Sequence, residues 1–234
     1  MDLRIILILA TAIAPSPSPG PTTDPCSVNG HTALLGVLNR PTIGFSACAV
    51  RRGEGVAEGG YQNQWGSPPL ASYPQGFIRY GVARNFEADL APPSRGGAAH
   101  TGFGMKWEAA HDARSALGFD LLYTAPAATL NVDYGRALSS VFGFGTTIGV
   151  QRTTGYSALL PSAVVTNQFN SRTQLYAEAF GVTRTSVAGG GLFGVDYGVQ
   201  YLVTPALELD LELGQTTNAG AHANYIGAGT GVRF

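Results

Sequence analysis

The chain has 234 residues, of which 12% are charged and 44% hydrophobic. Its charge content is about half that of an ordinary soluble domain. Beyond the first fourteen positions there is no apolar run of the roughly 18 residues a membrane-spanning helix needs, which excludes a helical membrane protein. Fourteen basic and fifteen acidic side chains leave a net charge of −1, so there is no broad electrostatic footprint for nucleic acid.

Residues 1–20 read as a signal peptide: Arg4, an apolar run from Ile5 to Ile13, and the small-residue pattern Ala12, Ile13, Ala14. Asp2 offsets Arg4, and Pro15 hinders cleavage after Ala14, so the cleavage site stays open. Pro15 to Pro25 is a linker rich in Pro, Ser and Thr. Residues 21–54 form an N-terminal periplasmic segment. Cys26 and Cys48 flank much of it, and an even cysteine count in an exported chain points to a disulfide, with two free thiols as the plainer alternative. Such a bridge would contribute on the order of 3 kcal/mol in the chain-entropy picture. Thr32 to Leu38 fits one or two helical turns, as a small cap or partial plug, or equally an ordered loop.

From about residue 55 to Phe234 the chain repeats segments of roughly ten alternating residues separated by turn residues, which is the pattern of transmembrane strands. In Ala206 to Thr216, Leu207, Leu209, Leu211 and Leu213 face one way and Glu208, Asp210 and Glu212 the other. Leu192 to Val203 repeats this, and Ser115 to Thr124 does so apart from Leu122. The segments are 56–65, 73–82, 85–91, 101–109, 115–124, 128–136, 141–151, 159–169, 172–182, 191–203, 206–216 and 223–234. The expected fold is therefore all-β, a transmembrane antiparallel barrel of about twelve strands over residues 55–234. Strand eight alternates poorly and carries Pro161. Even-to-odd connections are brief, as periplasmic turns are, whereas Gly66 to Ser72, Pro92 to His100, Thr183 to Gly190 and Thr217 to His222 read as longer outer loops.

This threading sends Glu58, Glu87, Asp89, Glu108, Asp120, Asp133, Glu178, Asp196, Glu208, Asp210 and Glu212 into the lumen, against Arg79, Lys106 and Arg233, with Arg136 as a further candidate. The interior is expected to be acidic. It serves either as an open pore or as a filled, hydrogen-bonded core, since twelve strands fall between the filled and the water-filled sizes. Ile226, Ala228, Thr230, Val232 and Phe234 share the lipid face of the last strand, and a terminal aromatic there fits the signal read by the barrel-insertion machinery.

Four stretches resemble the outer-membrane transporter family associated with the meta-pathway of phenol degradation. They are Asn39 to Val50, Glu58 to Gln64, Ser72 to Gly81 with Asn85, Phe86 and Glu87, and Leu207 to Gly214 with Gly227 to Phe234. The resemblance implies a bacterial outer-membrane barrel passing small molecules, aromatic or hydrophobic ones included. It supplies no binding residues.

Catalytic chemistry is thinly represented. His100 and His222 fall at the outer rim with Ser94, Ser186 and Asn218, but solvated loop residues are the plainer reading, and G-x-S-x-G is missing at Ser157. Gly189, Gly191 and Gly194 match G-x-G-x-x-G without the helix that would receive a pyrophosphate. Glu208, Asp210 and Glu212 are spaced too widely on a strand, about 7 Å apart, to share one cation unaided. Neither cysteine has a zinc-ligand partner at the right spacing. No enzyme, cofactor or metal is expected; the expected partners are outer-membrane lipid, the assembly machinery and a small solute. A structural or adhesive barrel is the alternative function, and a rim hydrolase a more remote one.

Overall fold

Period-two alternation over a dozen segments can bury its polar face only if the sheet closes on itself, and the computed structural model shows that closure. It describes residues 25–26, 34–40, 42–66, 73–93, 100–218 and 220–234, with backbone alone for 73–75. Residues 1–20, His31, Ser94 and most of the first two outer loops lie outside the described residues.

A single helical turn, α1 (Leu34–Val37), precedes twelve strands: β1 (Gly55–Gly66), β2 (Tyr73–Ala83), β3 (Phe86–Ala91), β4 (Gly102–His111), β5 (Ser115–Thr124), β6 (Ala127–Ala137), β7 (Phe142–Thr153), β8 (Tyr156–Gln168), β9 (Thr173–Val182), β10 (Leu192–Thr204), β11 (Leu207–Asn218) and β12 (Ala221–Arg233). Each pairs antiparallel with its sequence neighbour, and β1 pairs with β12 to close the barrel. The expected twelve strands are thus observed, with ends shifted by no more than three residues.

Two differences have clear causes. The stretch read as a Thr217 to His222 loop is mostly strand, because β11 runs to Asn218 and β12 starts at Ala221. Gly220, at φ +87°, supplies the left-handed residue that such a tight connection needs. Strand β8 begins at Tyr156, three residues earlier than expected, directly after Gly155 at φ +91°, and holds Pro161 in its interior.

The outer surface is apolar. Leu209, Leu211 and Leu213 are exposed on β11 while Glu208, Asp210 and Glu212 are buried, so the alternation separates lipid from lumen as in a membrane barrel. Near the barrel end that holds β1's start, Phe86, Trp107 and Phe119 stack in a row across β3, β4 and β5, with centroids 6.0 and 5.7 Å apart. Such aromatics sit at the membrane boundary. Phe234 closes the seam there: its N–H donates to the Gly55 carbonyl (2.9 Å) and its carbonyl accepts from the Gly55 N–H (2.7 Å). Among the described residues no helix is long and apolar enough to cross a membrane.

The N-terminal segment lies inside this wall. Cys26 and Cys48 form the expected disulfide, with Cα atoms 5.5 Å apart. Leu34, Leu35, Val37, Leu38, Ala47 and Val50 pack around it into a small core with Val56 and Ala116 of the barrel.

Candidate functional site: a lumen divided between a gripping wall and a neutral wall

An irregular segment at membrane depth must have its backbone polar groups satisfied by protein. The barrel's acidic residues do this. Glu58 accepts from the N–H groups of Asn39 (2.9 Å) and Arg40 (2.7 Å), and Glu178 from those of Ile43 (2.6 Å) and Gly44 (2.8 Å). Glu108 accepts from Ala49 (2.9 Å) and Glu87 from Val50 (2.5 Å). The carbonyls are met by cations and an amide. Arg79 donates to Val37 and Cys48, Lys106 to Ser46 (2.6 Å) and Gln200 to Arg40 (3.1 Å). Segment 37–50 is therefore held as a plug.

All thirteen lumen candidates on β2 to β11 and β1, from Glu58 through Arg79, Glu87, Asp89, Lys106, Glu108, Asp120, Asp133, Glu178, Asp196, Glu208 and Asp210 to Glu212, are buried. Arg79 is central among them: fully buried, it pairs with Glu87 (2.7 Å) and Glu58 (3.3 Å). Lys106 stands 3.9 Å from both Glu87 and Asp120. Asp133 accepts from the Thr147 hydroxyl (2.8 Å) and Asp196 from the Tyr225 hydroxyl (2.7 Å). Arg233 is half-buried at the barrel end, donating to the Pro205 carbonyl (3.2 Å). Arg136, the further lumen candidate, is instead exposed on β6, at a position of the same parity as lipid-facing Val132.

One cation escaped the sequence reading. Arg40 of the plug pairs with Asp210 at 3.0 Å. Burial works against its charge, but the carboxylates of Asp210, Glu212 and Glu58 together more than offset this and hold the pKa above the ordinary value. It reaches Asp210 across two register partners, Gly60 and Gly229, where an added Cβ would lie 2.5 Å from the guanidinium. The signal was present as glycines at lumen-facing positions, but nothing in the barrel's own alternation says what fills them.

The opposite side of the lumen differs in kind. The inward positions of β6, β7 and β8 carry Thr129, Asn131, Thr147, Gln151, Ser162 and Thr166, and among the described residues a single carboxylate, Asp133. Two cavities run along it. The inner, of about 190 Å³, lies between the plug and Tyr134 to Thr147, Ser162, Tyr176 and Gln200. The outer, of about 240 Å³, is bounded by Ile43, Phe45, Leu122, Thr129, Asn131, Gln151 and Leu160. They share Gly44, Phe45, Thr147 and Ser162, so one level separates them. The Phe45 ring there packs edge-on to Phe77 (6.2 Å) under the Lys106 ammonium (5.6 Å). Leu122, the break in the expected alternation, is simply a lumen-facing residue whose apolar side chain lines the outer cavity. Among the rim candidates, His222 contacts the Thr217 hydroxyl at 3.0 Å. Gly189 and Gly191 belong to the β9–β10 connection and Gly194 to β10.

No protein-family model and no curated protein matches the sequence. Solved structures do match the fold. The NanC porin superposes with a TM-score of 0.59 at 11% identity, covering 74% of this chain and 98% of its own. The KdgM porin, in a complex with disordered oligogalacturonate, gives 0.58 at 8%, covering 76% and 99%. An outer-membrane channel from Pseudomonas putida F1 gives 0.59 at 10%, covering 82% and 100%. With its closed twelve-strand wall and apolar outer belt, the chain shares the fold of these porins and channels and is a barrel of the bacterial outer membrane.

Proposed function

We propose that the protein is an outer-membrane channel for small molecules, closed in this state by its own N-terminal segment. The observation that carries the reading is the pair of cavities meeting at Gly44, Phe45, Thr147 and Ser162. A purely structural barrel has no need of space on both sides of one constriction, whereas a gated passage does. The lumen residues then have two roles. The carboxylates of β1, β3, β4 and β9 fasten the plug, and with Glu208, Asp210 and Glu212 they give the interior a negative potential, since among the described residues eleven buried carboxylates face three buried cations, Arg40, Arg79 and Lys106. Passage of aromatic or hydrophobic solutes is supported by Ile43, Phe45, Leu122 and Leu160 around the outer cavity, together with the sequence resemblance to transporters linked with phenol degradation.

Replacing Phe45 with Ala removes the ring at the constriction while leaving the carboxylate contacts of segment 39–50 intact. Planar-bilayer recordings should show conductance rising several-fold above wild type. A folded, inserted Phe45→Ala barrel that carries no current would favour the structural barrel instead.

A further inference from the structure

A barrel that spans a membrane keeps charge off its outer face, because an arginine there must be desolvated or find an anion. Arg136 of β6 departs from this. It is exposed on the same outer face as Leu130 and Val132, in register with Ser115 of β5 and Phe144 of β7. Beside it stands Arg114 of the β4–β5 turn, whose carbonyl accepts from the Ala137 N–H (2.8 Å). The carboxylate of that turn, Asp112, is taken up by the N–H groups of Arg114 (2.7 Å) and Ser115 (2.8 Å) and by the Ser115 hydroxyl (2.9 Å). Neither guanidinium has an ion-pair partner among the described residues.

The whole of that barrel end is biased the same way. Arg51, Arg52, Arg84, Arg114, Arg136 and Arg172 are exposed around it, whereas the opposite end carries Arg152 and Arg184 among the described residues. Connections at the arginine-rich end are brief, and the longer ones, β1–β2, β3–β4 and β9–β10, stand at the other, so these arginines face the periplasm and the leaflet on that side. Above Arg114 and Arg136 the outer face turns apolar: Leu117 meets Tyr134, and the stacked rings of Phe86, Trp107 and Phe119 follow one level higher. Cations below and an aromatic surface above match an amphiphile with an anionic head and acyl chains. A zwitterionic headgroup brings its own ammonium, which the neighbouring arginines repel, so a headgroup of net negative charge fits better.

We infer that the outer face of β4 to β6 at the periplasmic end is a docking site for an anionic phospholipid of the inner leaflet, with Arg114 and Arg136 on its phosphate and Leu117, Phe119 and Trp107 along its chains. The site is separate from the lumen and stands whether or not the barrel conducts.

The chain's two tryptophans lie at opposite ends of the barrel, Trp107 beside this site and Trp65 at the far end of β1, both exposed. The full chain carrying Trp65→Phe, with Trp107 as reporter, is reconstituted in phosphatidylcholine vesicles. These hold an equal minor share of either phosphatidylglycerol or phosphatidylcholine with brominated chains, which quench tryptophan on contact. Each arginine at an anionic lipid surface is worth about fivefold in binding, so quenching should report brominated phosphatidylglycerol enriched several-fold over brominated phosphatidylcholine. The excess should vanish when Arg114→Gln and Arg136→Gln are added together, and persist with Arg172→Gln at the β8–β9 turn. Heat-modifiable gel mobility confirms folding. Arg136→Gln alone, which removes a side chain that holds no protein partner among the described residues, should lose most of the excess and serves where the double variant does not fold. The Trp107→Phe chain, reporting from Trp65, should show no excess. Equal quenching of Trp107 by the two lipids overturns the site, as does an excess that survives loss of the arginines. An excess as large at Trp65 as at Trp107 overturns it too, since the preference would then belong to no particular place on the wall.

Discussion

The two sides of the lumen are built from the same alternating strands yet behave as different materials. On the side of β1 to β4 and β9 to β11, charged side chains fill the space between wall and plug: Glu58, Glu87, Glu108 and Glu178 accept from plug N–H groups, Arg79 and Lys106 donate to plug carbonyls, and Asp210 pairs with Arg40. On the side of β6 to β8, short hydroxyl and amide side chains meet the plug at one level, where the Thr147 hydroxyl accepts from the Phe45 N–H (3.0 Å), and leave a cavity on either side of it. The difference teaches that acidic residues in a barrel interior need not line a pore. Here, most of those on β1, β3, β4 and β9 are spent on N–H groups of a segment without secondary structure, where their desolvation is compensated. The side with little charge is the side with room.

The strongest way to break the contrast is to prevent closure altogether. Deleting Phe234 removes the two hydrogen bonds that join the chain's end to Gly55 and the terminal aromatic. Surface-exposed protein should fall to near nothing, with the chain retained in the periplasm or degraded; normal surface levels would count against the assignment of the barrel end.

Next in size is Arg79→Ala. It strips Glu58 and Glu87 of their buried partner and two plug carbonyls of their donor, and breaking a buried pair this way costs about 3–5 kcal/mol. The gripping side should fail first: residues 37–50 should become cleavable by protease while the barrel keeps its heat-modifiable band. Equal loss of plug and barrel would show that the two are one cooperative unit.

A smaller effect is expected at the glycine slot. Gly229→Val puts a side chain where the Arg40 guanidinium lies, and the overpacking costs about 1–3 kcal/mol. Arg40 should leave Asp210, raising channel activity without the protease sensitivity of Arg79→Ala. An unchanged activity would mean that Arg40 does not help fasten the plug.

The smallest change sharpens the electrostatics. Replacing Glu208, Asp210 and Glu212 with Gln, Asn and Gln, in the Phe45→Ala barrel, should weaken cation preference in reversal potentials at asymmetric salt. The change should be clearest at low ionic strength, where the Debye length is about 30 Å at 0.01 M. Selectivity untouched by all three neutralisations would mean that the β11 carboxylates do not set the potential along the passage.

How much of this was legible in the sequence follows from which interactions are local. Alternation on each strand is a local property, so twelve strands and the inward facing of residues such as Glu208, Asp120 and Glu178 could be read directly. The disulfide could be read from export and two cysteines. Arg40 could not, because its partner is 170 residues away and its own segment has no periodicity to orient it. Nor could the use of Glu58, Glu87, Glu108 and Glu178 as caps for plug N–H groups, since a carboxylate facing a lumen looks the same in sequence whether water or backbone meets it. Leu122 and Pro161 were visible only as irregularities. In the structure both line the outer cavity.

The account's central claim, that the plug is fastened on one side and the passage runs along the other, is most directly tested by blocking each side in turn. In the Phe45→Ala barrel, cysteine is placed at Ser162 on the neutral side or at Glu212 on the charged side, and a small methanethiosulfonate reagent is added during single-channel recording. The account predicts a large stepwise block from Ser162→Cys and little from Glu212→Cys. Block from Glu212→Cys with none from Ser162→Cys would contradict it.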